Sequence, residues 1–142
     1  MKHLLAFLGT LALFAAIVQY ADAQEEKESM ITIVNVSAGK HLDFLKWMAE
    51  SEAVAKEAGA PATQWYVHHN GAGWDYISIS QVGTPAEQEA MDKKVDELRK
   101  KKGLPVGMAA SLKFRQFIGA HSDTYSGGPF TAEQLVKMAE AK

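Results

Sequence analysis

Gln64-Trp65-Tyr66-Val67-His68-His69-Asn70-Gly71-Ala72-Gly73-Trp74-Asp75-Tyr76-Ile77-Ser78-Ile79-Ser80-Gln81 decides how the rest of the chain is read. Two arms rich in β-branched and aromatic residues flank an Asn/Gly cluster with easy access to positive φ, which is the pattern of a β-hairpin. If the four residues Asn70–Gly73 close it, His69 faces Trp74, His68 faces Asp75, Tyr66 faces Ile77 and Gln64 faces Ile79. Side chains alternate across a strand, so these last three pairs share one face. Trp65, Val67, His69, Trp74, Tyr76, Ser78 and Ser80 share the other. Neither face is simply polar. A sheet with helices on one side and a second sheltered space on the other accommodates that better than a sheet wetted on one side.

Working outward, Met30–Val36 (MITIVNV) is apolar on both faces and reads as a central strand. Its polar member, Asn35, either points into a cavity or bonds nearby backbone. Lys40–Ala58 reads as a helix, with Phe44, Met48, Ser51, Ala55 and Ala58 on one face and Gly59-Ala60-Pro61 as its stop. His41 falls in its first turn, exposed or facing a pocket. Thr84-Pro85-Ala86-Glu87 opens a second helix with a cap, a proline at the first position and a capping box. Met91, Val95 and Leu98 form its buried stripe. The run Arg99-Lys100-Lys101-Lys102 before Gly103 reads as a solvated helix end, because cations are favoured there by the helix dipole.

Met108–Ile118 fits a short helix better than a strand, ended by Gly119, with a last strand near His121–Tyr125. Thr131 and Gln134 make a second capping box at the start of a terminal helix. The expected order is therefore β-α-β-β-α-(α)-β-α. A split pair of βαβ units with right-handed crossovers gives an α+β fold: a ferredoxin-like, four-stranded antiparallel sheet with helices on one face, plus a C-terminal helix.

The chain of 142 residues carries a formal charge of −2 and no cysteine. No basic excess points to nucleic acid or to an anionic membrane surface. Lys2-His3, the apolar run Leu4–Val18 and the small-x-small ending Ala21-Asp22-Ala23 read as a signal peptide over residues 1–23. Cleavage there leaves residues 24–142 as a single periplasmic or secreted domain of about 119 residues, with no membrane contact after cleavage. Without disulfides, its stability rests on packing, including packing across a subunit interface.

This element order over residues 30–126, with the segment YVHHNGAGWDYISISQV, resembles the dimeric α/β-barrel superfamily of ferredoxin-like domains. That superfamily includes antibiotic-biosynthesis monooxygenases and EthD-like and NIPSNAP-like proteins. The resemblance implies a homodimer with a pocket either between helices and sheet or inside the barrel formed by two sheets. It also implies a small aromatic ligand and, in the enzyme version, a cofactor-independent oxygenase or isomerase acting on a phenolic substrate. By resemblance, Asn35 and Tyr76 orient the substrate and His69 or His121 takes the proton, a role a histidine suits near neutral pH. Trp65, Trp74, His41 and Tyr125 are the expected ligand contacts.

The other reading is a non-enzymatic periplasmic structural or partner-binding module, whose cavity is filled by its own Trp and Tyr side chains. His68 opposite Asp75 is either a metal-holding or catalytic pair or a cross-strand ion pair. No cysteine set, His-x₃-His or Glu-x-x-His motif supports a metal, and no haem, P-loop or G-x-S-x-G signature is present. Ser78 and Ser80 read as small polar residues on a half-buried strand.

Overall fold

A computed structural model describes residues 28–71 and 73–141; the expected signal segment lies outside the described residues. Eight elements follow one another: β1 (Ser29–Val36), α1 (His41–Ala58), β2 (Gln64–Val67), β3 (Tyr76–Gln81), α2 (Pro85–Lys101), α3 (Gly107–Arg115), β4 (Ile118–Ser126) and α4 (Ala132–Glu140). The sheet order is β2-β3-β1-β4, with every neighbouring pair antiparallel. This is the ferredoxin-like arrangement, and the extra helix at the C-terminal end is present. None of the described helices is long and apolar enough to cross a membrane.

The hairpin register is the expected one, with Gln64 opposite Ile79, Trp65 opposite Ser78 and Tyr66 opposite Ile77. The ladder stops at Val67 and Tyr76, before the histidines. Asp75 is the reason. Its amide donates to the Val34 carbonyl at 2.9 Å and its carboxylate accepts from the Val36 amide at 2.7 Å. Asp75 is therefore engaged with β1, and the expected His68–Asp75 pair does not form. His68 instead sets its ring edge-on to Trp74, with centroids 5.2 Å apart.

Helix α1 ends where Gly59 enters the left-handed region at φ +94°, and Ala60 reaches back to the Ala55 carbonyl at 2.9 Å. Phe44 and Val54 on its inner face are fully buried. The core cluster joins Phe44 to Val34, Val36 and Phe117, with Trp47, Met48, Trp65, Tyr76, Phe114 and Ile118 packed around it.

Arg99 corrects the sequence reading of a solvated helix end. It is the buried residue of α2, 6% exposed, and it ties three segments together. Its Nε donates to the Pro105 carbonyl at 2.7 Å, Nη1 to the Ser51 hydroxyl at 3.3 Å, and the guanidinium lies 4.9 Å above the Trp47 ring. Planarity and five fixed donors let one arginine do this, whereas Lys100–Lys102 stay exposed. Met91, Val95 and Leu98 are only half-buried.

Both expected capping boxes form. At α2, Glu87 accepts from the Thr84 amide at 2.8 Å while its own amide donates to the Thr84 hydroxyl at 3.3 Å. The backbone bond from Thr84, then the bond from its hydroxyl, hold the Glu87 carboxyl below the ordinary carboxylate range. A depressed pKa contributes stability above the unfolded value, near about pH 4.3, and loses it as pH falls through the folded value. The acid limb of the stability curve is therefore expected to be shallower in Glu87→Gln, which keeps an acceptor but cannot titrate. Equal slopes in paired acid melts would show that the box contributes nothing.

Alternation divides the sheet into two unlike faces. Met30, Thr32, Val34, Trp65, Tyr76, Ser78, Ser80, His121, Asp123 and Tyr125 share the face toward α1 and α3. The opposite face carries Ile31, Ile33, Ile77 and Ile79 in a central block, with Tyr66 and Gln64 to one side and Ser122 and Thr124 to the other. No described helix covers that block; Ile33 is 37% and Tyr66 50% exposed.

Candidate functional site

One row of paired positions crosses all four strands on the helix side: Trp65 on β2, Ser78 on β3, Thr32 on β1 and Asp123 on β4. Strand spacing sets these side chains about 4.8 Å apart. The row floors a cavity of about 190 Å³, partly open to solvent, between the sheet and helices α1 and α3. Phe44 and Met48 descend from α1, Phe114 from α3, and Val34 and His121 complete the lining.

The walls are aromatic. Phe44 stacks on Tyr76 with centroids 5.4 Å apart and meets Trp65 edge-on at 6.1 Å. Phe114 approaches Phe44 at 6.2 Å. The indole N–H of Trp65 donates to Glu52 on α1, which helps to hold the ring where it lines the cavity. Tyr76 lies behind Phe44; its hydroxyl is 3.5 Å from His41 Nδ1, outside the cavity lining.

The polar end of the cavity gathers three groups. The Thr32 hydroxyl donates to Asp123 Oδ1 at 2.7 Å, and Asp123 Oδ2 lies 3.5 Å from His121 Nε2. His121 also meets Phe114 edge-on at 5.7 Å. A carboxylate close to one imidazole nitrogen favours the ring position that turns toward it. His121 and Asp123 converge because they are two residues apart on one strand, and β1 supplies Thr32 directly opposite Asp123.

Of the residues expected from sequence, Trp65 and His121 line this cavity. Tyr76 and His41 stand together beside it. His69 is exposed beyond the end of β2, and Trp74 is held against His68 before β3 begins. Tyr125 is on the cavity's side of β4 but 61% exposed, beyond the lining. Asn35 pairs with Ala120 on the opposite face of the sheet, so it does not converge with Tyr76, His69 or His121. Asp123 and Thr32 went unremarked in sequence, although His-x-Asp within an extended segment places both groups on one face. Phe44 and Met48 read there only as core, and Phe114 only as part of a short helix.

Among the described residues no group of three or more His, Asp or Glu is placed to hold a metal ion. A shallower depression of about 370 Å³ lies between α1 and α3, lined by Trp47, Phe117 and the mixed charges Asp43, Lys46, Glu50 and Lys113.

No protein-family model and no curated protein matches the chain. Solved structures do. A NIPSNAP domain protein from Burkholderia xenovorans has a TM-score of 0.49 at 11% identity, covering 74% of this chain and 96% of that one. A dimeric ferredoxin-like protein from an uncultured marine organism has a TM-score of 0.45 at 14% identity, covering 73% and 88%.

Proposed function

We propose that the domain is an exported homodimer that binds a small, single-ring aromatic molecule in the helix-side cavity, its hydroxyl directed at His121. The observation that carries this is the pairing of aromatic walls with one polar end, where the hydrogen-bonded pair Thr32–Asp123 stands beside His121. Size agrees. An apolar protein cavity of about 150 Å³ takes up benzene, so 190 Å³ suits a ring with one or two small substituents. The enzyme version assigns His121 as general base toward a phenolic hydroxyl, with Asp123 as the group that orients it, as the first step of a cofactor-independent oxygenase or isomerase reaction. Phe44, Trp65 and Phe114 hold the ring.

Homodimerisation is supported by the block of Ile31, Ile33, Ile77 and Ile79. An uncovered apolar sheet centre flanked by polar strands fits a second copy better than water. Only five apolar residues among those described are buried in the single chain, which leaves burial to be gained on association. Export is supported by the signal-like residues 1–23. Sequencing the protein recovered from its host should find a first residue of Gln24; a chain beginning at Met1 refutes this element.

4-Nitrophenol tests the site, because its phenolate is coloured. Bound probe should appear as phenolate at a pH where the free probe is mostly protonated, and binding should quench Trp65. His121→Ala should weaken binding about 10–100-fold, the worth of one charge-assisted hydrogen bond. Asp123→Asn should bind but lose the phenolate signature. Trp65→Phe should abolish the quench. An unperturbed wild-type spectrum and unchanged fluorescence would remove the proposal.

A further inference from the structure

The two edges of the sheet are unequal. β2 offers four residues, whereas β4 offers nine, and its seven central residues, Gly119–Tyr125, are all exposed. β1 occupies one side of β4 and α3 touches its face; no described strand pairs with the outer side. Such an edge presents unpaired N–H and C=O groups, and sheets that remain single guard it with lysine, proline, bulges or a covering element. From Ala120 to Ser126 the sequence AHSDTYS has no lysine, proline or bulge, and its one charged guard, Asp123, is the group that a copy's His121 would face. The one irregularity, opposite Asn35 and Val36, falls at the beginning of the strand.

The same stretch is self-complementary. Laid antiparallel on a copy of itself about Ser122, His121 faces Asp123, Asp123 faces His121 and Ala120 faces Thr124. Two imidazole–carboxylate pairs result, each with Cβ atoms about 5 Å apart. Moving the centre to Asp123 would oppose two aspartates, and moving it to His121 would oppose two histidines. Of these three registers only the one about Ser122 sets an imidazole opposite each carboxylate. We propose that β4 pairs with β4 of a second copy about a two-fold axis at Ser122, joining two four-stranded sheets edge to edge.

His121 and Asp123 lie on the cavity side of the strand. In this pairing His121 of the partner subunit stands opposite Asp123, so each candidate site gains a second imidazole and the two cavities meet across the axis. This interface is separate from the isoleucine face and does not depend on the ligand reading.

The absence of cysteine allows a clean test by single substitution. Under mild oxidation Ser122→Cys should cross-link to a covalent dimer at least tenfold faster than Ala120→Cys or Thr124→Cys, each of which lies about 13 Å from its own copy in this register. The fast cross-link should persist when Ile33→Asp is added, since that change acts on the other interface. Asp123→Lys in the Ser122→Cys chain should slow cross-linking about tenfold, and adding His121→Asp should restore it by re-forming opposite pairs. Near-ultraviolet circular dichroism confirms that each variant is folded. Equal rates at the three cysteine positions, loss of the Ser122→Cys cross-link with Ile33→Asp, or no effect of Asp123→Lys would each overturn the edge pairing.

Discussion

Phe44→Ala should lower the unfolding free energy by about 3–5 kcal/mol, the range for truncating a buried aromatic residue to alanine. Phe44 has no exposed surface and is the residue on which the core converges, stacked on Tyr76, edge-on to Trp65 and against Phe114. Its removal strips one side from three rings at once, and helix α1 then meets the core cluster only through Trp47 and Met48. A globular domain has only about 5–15 kcal/mol to lose. The melting temperature should therefore fall by about 10 °C or more, at roughly 4 °C per kcal/mol for a domain of this size. Phe44→Leu should recover more than half of the loss, because most of the volume returns. A drop of less than about 1 kcal/mol for the alanine variant, read by urea titration, would mean that the core does not close on this ring.

Ile33→Asp should abolish the sheet-to-sheet association at micromolar concentration and leave only the edge pairing through β4. Ile33 occupies the middle of β1, opposite Ile77 across the ladder, and 37% of its surface is open in the single chain. Placed in an apolar interface, a carboxylate meets its copy's apolar surface with no partner and pays a desolvation cost of several kcal/mol. Each 1.4 kcal/mol is about tenfold in the dissociation constant, so a loss of about a thousandfold is expected. Once the two faces part the carboxylate stands in water, so the fold should survive. Light scattering coupled to size exclusion reads the change directly. A wild type already monomeric at tens of micromolar, or a variant that keeps the wild-type mass, refutes the sheet-to-sheet association.

Much of the architecture was legible because it follows from local rules. Hairpin register followed from the turn residues and the alternation on either arm. Thr84-Pro85-Ala86-Glu87 and Thr131–Gln134 announced helix starts through hydrogen bonds formed within four residues. What escaped sequence reading depends on partners distant in the chain. Nothing near Asp75 reveals that its carboxylate will bond the amide of Val36, thirty-nine positions away, and thereby end the hairpin ladder early. Arg99 looked like its basic neighbours until α1 and the segment at Pro105 closed around it. The candidate site was half-visible for the same reason. Aromatic residues and histidines stand out by type, but whether two of them meet is decided by strand order. That order separates Asn35 from Tyr76 by the thickness of the sheet and brings Thr32 to Asp123.

The cavity floor takes one residue from each strand, and this has a thermodynamic consequence. Whatever sits on it touches the whole sheet at once, so the edge strands cannot fray without losing the occupant. Saturation with a bound ring should then slow amide exchange in β2 and β4 together, although they lie at opposite margins, with the gain at each set by how far ligand concentration exceeds its dissociation constant.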